Sequence, residues 1–98
     1  MTYDITEKLN FDADPKLKIN DTELTIKSDA ENVLQILDIL QNNGEMEAAI
    51  KCIPILLSKE DQEKLNSLHL KMNDYISVME AAVSLALGED PGENNQGE

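Results

Sequence analysis

The 98-residue sequence predicts a mainly α (α+β) fold: an N-terminal β-hairpin packed on a small bundle of about four helices, with a disordered acidic C-terminal tail. Three observations predict it. In "KLKINDTELTIK" (16–27) apolar and polar residues alternate, the period of a strand with one buried face. From Ser28 onward the apolar residues recur three and four apart, the period of a helix. Gly44 and Gly88 fall where those helical patterns stop.

Residues 1–15 hold Tyr3, Ile5, Leu9 and Phe11 among acids and end in "DADP". No period fixes a strand or helix there, so the segment reads as an arm free to dock on a neighbour. The hairpin occupies 16–27. A turn centred on Asp21-Thr22 sets Ile19 opposite Leu24 and Leu17 opposite Ile26, which makes one face apolar. A four-residue loop fits the same register. A lone hairpin is marginal in water, so this face needs a cover.

"SDAE" (28–31) reads as a capping box, with Ser28 as N-cap and Glu31 reaching back, and opens a helix at about 29–42 that Gly44 closes. A second helix, at about 45–57, includes Met46, Ala49, Ile50 and Ile53, and Pro54 should break or kink it. A third, at about 59–72, has Ser58 as N-cap and acids at 60, 61 and 63 as a solvated first turn. Leu65, Leu68 and Met72 form its apolar edge. The fourth, at about 74–87, ends at Gly88. "EDPGENNQGE" (89–98) has the composition of a disordered tail. Residues 16–88 thus read as one globular domain without internal repeats.

Two of these helices are apolar on about three sides. In 74–87 the polar residues Asp74, Ser77, Glu80 and Ser84 make one narrow stripe; in 29–42 Glu31, Gln35, Asp38 and Gln41/Asn42 do the same. A surface helix normally wets about half its circumference. A chain this short can hardly enclose two such helices, so the surplus predicts self-association or a protein partner. On the last helix Ile76, Met79, Val83 and Leu87 form the row expected in the core. Tyr75, Val78, Ala82 and Leu85, on the adjoining sides, are the candidate partner-binding residues.

Composition narrows the function classes. The formal charge is −12, with twenty acids against eight lysines and no arginine. That balance opposes binding to nucleic acid or to an anionic membrane, and favours solubility through self-repulsion. No stretch approaches the roughly 20 apolar residues of a membrane span, and the N-terminus does not read as a signal peptide, so a cytoplasmic location is expected. Cys52, in "AAIKCIPILL", reads as a small core residue. His69 reads as a partly exposed helix histidine with no partner at ligand spacing. "DADP" and "NDTE" lack the glycine and closing glutamate of a calcium loop, and the glycines at 44, 88, 92 and 97 make no phosphate cradle. Ser28 and Ser58 read as caps rather than nucleophiles. The expectation is a protein that is not an enzyme, with no catalytic, cofactor or metal site.

The succession "LSKEDQEKLNSLHLKMNDYISVMEAAVSLALG" resembles the C-terminal half of the tail assembly chaperones of long-tailed phages and prophages of Gram-positive bacteria. The likeness lies in a polar capped helix, a short "LHLKMND" joint and an apolar helix of "DYxxVxEAAxxLAxG" type, with Met72 in place of an aromatic and Leu87 in place of threonine. "YDITEKLNF", the hairpin and "SDAENVLQIL" extend it over most of residues 2–88. The resemblance implies a protein that binds the tape measure protein, keeps it soluble, and is displaced as tail tube protein polymerises around it. It also implies residence in the bacterial host's cytoplasm and absence from the mature virion. A longer product made by ribosomal frameshifting would begin its linker in the tail. The competing readings are a small structural head–tail or neck component and an acidic DNA-mimic inhibitor.

Overall fold

A computed structural model describes residues 1–89; residues 90–98, and with them nearly all of the tail expected at 89–98, lie outside the described residues. The described residues form a two-stranded antiparallel hairpin followed by four helices, the mainly α (α+β) architecture that the periods predict. The strands are β1 (Lys16–Ile19) and β2 (Thr22–Thr25), and the helices are α1 (Ala30–Asn42), α2 (Glu45–Leu56), α3 (Lys59–Asn66) and α4 (Met72–Ala86).

The hairpin turns two residues tighter than the sequence suggests. Leu17 faces Leu24 and Ile19 faces Thr22, around a turn at Asn20-Asp21. Asn20 supplies the required positive φ of 54°, which asparagine tolerates better than most residues with a Cβ. A shift of two residues preserves the face, so Leu24 and Ile26 are still buried and Leu17 and Ile19 still pack on the core. Beyond β2, the Ile26 N–H donates to the Pro15 carbonyl (2.9 Å) and the Lys27 N–H to that of Leu56 (2.8 Å). The second bond ties the hairpin's exit to the end of α2.

The capping box is not formed. Asp29, not Ser28, takes the N-cap position of α1, and the Ser28 hydroxyl donates to Asp14 Oδ1 (2.9 Å) instead. That bond pins the root of the arm to the start of α1. Gly44 does not close α1 either; it is the N-cap of α2, with an ordinary φ of −76°. The end of α1 is satisfied by the amides of Asn42 and Asn43, which donate to the carbonyls of Asp38 (2.9 Å) and Ile39 (2.8 Å). Helix α2 runs through Pro54 without breaking. The proline leaves the Ile50 carbonyl without its helical donor, but it lies in the last turn and Ile50 is exposed to water.

Ser58 caps α3 as expected, accepting from the Asp61 N–H (3.1 Å). The helix, however, ends at Asn66 rather than near 72. Leu68 and His69 donate back to the Leu65 and Asn66 carbonyls, and His69 takes a φ of 55° that turns the chain. It is therefore an exposed joint residue, not a helix residue. Helix α4 begins two residues early, at Met72, and ends in a Schellman motif: Gly88 (φ 87°) donates to Leu85 and Glu89 to Ser84. Nor is the first turn of α3 wholly solvated. Asp61 is buried, and its Oδ2 accepts the Thr25 N–H at 2.9 Å, while Glu60 and Glu63 are exposed. The carboxylate thereby clamps α3 to β2.

The core gathers Leu24, Ile26, Ile36, Cys52, Leu56, Leu57 and Leu65 under α4 residues Met79, Ala82 and Val83. Burial pushes the Cys52 thiol pKa up, as suits a packing residue.

Candidate interaction surface

The row proposed for a partner on α4 is mostly inside the domain. Ala82 is 1% exposed, and Tyr75, Val78 and Leu85 are half-buried and packed on the core. Burial also raises the Tyr75 hydroxyl pKa. The cause is position: α4 packs against α2, β1 and α1, so the sides adjoining its core row are covered too. In the core row itself Met79 and Val83 are buried and Ile76 half-buried, while Leu87 emerges at the C-terminal end. Tyr75, Val78, Ala82 and Leu85 thus do not make an open surface, and the apolar surplus lies elsewhere.

It lies on α1 and α2. Leu34 is 66% exposed and Leu37 is also exposed, three residues apart on α1. Met46 and Ile50, four apart on α2, are exposed as well, Ile50 at 60%. Leu34, Leu37 and Leu40 follow i, i+3, i+6 spacing, which is one ridge of a helix surface. The ridge descends from solvent at Leu34 to half-buried Leu40, which lines a cleft of about 320 Å³.

That cleft opens where α1 turns into α2. Leu40 and Asn43 form one wall, Gly44, Glu45 and Ala48 the end, and Met79, Glu80, Val83 and Ser84 of α4 the other wall. A second cleft, of about 450 Å³, joins Ser28 at the start of α1 to Leu85–Glu89 at the end of α4, with Asn10, Asp12, Ala13 and Pro15 of the arm's root. The first cleft thus joins the end of α1 to the middle of α4, and the second joins the start of α1 to the end of α4. Apolar contact is what the first cleft offers, rimmed by the acids Glu45 and Glu80. Lys51, the neighbouring cation, donates to Asn43 Oδ1 (3.0 Å).

The arm is the other uncovered apolar segment. It holds one 3-10 turn, Thr6–Lys8, where Asp4 Oδ1 accepts from both the Thr6 N–H and its hydroxyl. Those bonds hold the Asp4 carboxyl below its usual range. Every residue from 1 to 14 is exposed, with Tyr3 at 71% and Phe11 at 77%.

Among the described residues no cluster of three potential metal ligands occurs, and no helix is long and apolar enough to cross a membrane. No family model matches the chain, and neither a curated protein nor a solved structure matches it.

Proposed function

We propose that this protein is a phage tail assembly chaperone that holds the tape measure protein in soluble form until tail tube protein displaces it. The observation that carries the reading is the ridge Leu34–Leu37–Leu40 running from solvent into the α1–α4 cleft. An amphipathic client helix lays its apolar face into such a groove with anchors three and four residues apart. The −12 charge complements this: a complex that covers the apolar side and displays acids resists aggregation. On this reading the client meets α1 and the cleft, because Tyr75, Val78, Ala82 and Leu85 are largely covered within the domain. The resemblance of the helical half to tail assembly chaperones supplies the identity of the client.

The test is co-expression with the tape measure protein of the same genome. The wild-type chain should keep that protein in the soluble fraction and co-purify with it. A Leu34→Lys/Leu37→Lys double variant, folded by circular dichroism, should lose both effects. If the double variant protects the client as well as wild type does, or wild type does not bind it, the reading fails.

A further inference from the structure

The arm and the α1 ridge are two exposed apolar sets on one chain, and neither covers the other. We propose that they meet between copies: the arm of one molecule lies along the Leu34–Leu37 ridge of a second, toward its α1–α4 cleft, in a reciprocal two-fold exchange. The sizes agree with this. Tyr3, Ile5, Leu9 and Phe11 on one side and Leu34, Leu37 and Leu87 on the other are all exposed. Two such contacts bury on the order of 1,500 Å² in total, the size of a standard stable interface.

The arm's shape favours the role. The single turn at Thr6–Lys8 is flanked by Ile5 and Leu9, and the Lys8 ammonium sits 5.4 Å from the Tyr3 ring centroid. Tyr3 and Phe11 are the aromatic anchors, of the kind that dominates interface energetics. Lys8 stands against Asp4, Glu7, Asp12 and Asp14 within the arm, so the docking on a ridge beside Glu31 and Asp38 rests on apolar contact and not on charge. A second copy is favoured over the arm's own domain because of how the arm leaves it. Its root is fixed by the Ser28–Asp14 bond, beside the second cleft, and shaped locally by the Asp12 N–H donating to Asn10 Oδ1 (2.8 Å). Asn10, Asp12, Ala13 and Pro15 line that opening, yet the apolar side chains Tyr3, Ile5, Leu9 and Phe11 all remain exposed. The proposal needs no client, but it gives the cleft an occupant before the client arrives.

Single cysteines test the exchange directly, since Cys52 is fully buried and stays out of the reaction. Tyr3→Cys and Leu34→Cys proteins carrying different tags would be mixed under mild oxidation. A disulfide joining the two tags is the expected result. If the cross-link forms only within a Tyr3→Cys/Leu34→Cys double variant and gives a monomer, the arm straps its own domain and the proposal is overturned. No cross-link in either format also overturns it. Analytical ultracentrifugation adds a second readout: Phe11→Asp should raise the dimer dissociation constant about tenfold or more with an unchanged circular dichroism spectrum. The wild-type dimer should tighten as salt rises, because two copies of −12 charge repel. An unchanged dimer in Phe11→Asp would sink the arm's role. Arm variants should retain or improve tape measure binding, so failure of the exchange and failure of the chaperone reading give different patterns.

Discussion

Helices α1 and α4 have the same kind of sequence, apolar on about three sides with one narrow polar stripe, and the fold treats them differently. Helix α4 packs against α2, β1 and α1, and its core row and both flanks are largely covered. Among the described residues helix α1 has only α2 and α4 beside it, and Leu34 and Leu37 are exposed. The number of apolar sides on a helix states how much cover it demands. How much it receives depends on the number of neighbours, which is a property of topology. In this chain α1 turns directly into α2 at Asn43-Gly44 and stays at the edge, whereas α4 returns last and lies across the elements already in place.

The largest expected effect comes from placing a charge in the covered helix. Val83→Asp puts an unpaired carboxylate among Met79, Ala82 and the α2 core residues, at a cost of several kcal/mol. That is comparable to the whole stability of a domain this size, so the variant should lack a cooperative melting transition by circular dichroism. A folded Val83→Asp protein with near-wild-type melting would remove α4 from the centre and with it the contrast between the two helices.

The elements that were legible in the sequence are those fixed by local chemistry. Alternation gave the hairpin its faces even though the turn moved, because a shift of two residues keeps parity. Ser58 and Gly88 cap as their types suggest, since each acts on backbone within a few residues. The misses have distant or unusual causes. The Ser28 hydroxyl is turned toward Asp14, fourteen residues earlier in the chain, which no local pattern reveals. His69 ends α3's extension with a positive φ, a conformation only a few per cent of non-glycine residues adopt even though histidine is among those enriched there. Asp61 is buried by a strand 36 residues earlier in the chain. For the candidate surface, the surplus of apolar area was readable. Which part of it stays exposed was not, because Tyr75, Val78, Ala82 and Leu85 differ from Leu34 and Leu37 only in what the topology lays over them.

An intermediate effect is expected where the hairpin meets α3. Asp61→Ala removes the acceptor for the Thr25 N–H at 2.9 Å and leaves that donor without a partner. Hydrogen bonds to charged groups contribute ~1.5–3 kcal/mol, so the urea midpoint should fall clearly while the fold persists. Asp61→Asn keeps an acceptor oxygen and should recover part of the loss. Equal midpoints for wild type and Asp61→Ala would mean the clamp contributes nothing, and α3 would be held by Leu65 alone.

The smallest effect on stability is expected at the uncovered helix, from a substitution that looks severe on paper. Leu34→Lys replaces a large apolar residue by a cation in the middle of α1. The leucine is 66% exposed, so little burial is lost. Lysine has nearly the helix propensity of leucine. Glu31 and Asp38 stand three residues before and four after, where each adds a few tenths of a kcal/mol of favourable pairing. The melting temperature of dilute, monomeric protein should therefore be unchanged or slightly raised, the reverse of the outcome at Val83. Repeating the melt at rising protein concentration sharpens the comparison, because a cover supplied by a second copy stabilises by mass action. Wild type should then gain in melting temperature with concentration and Leu34→Lys should not. A clear loss for Leu34→Lys in the dilute monomer would show that α1 is covered within its own chain, and the difference between the two helices would disappear.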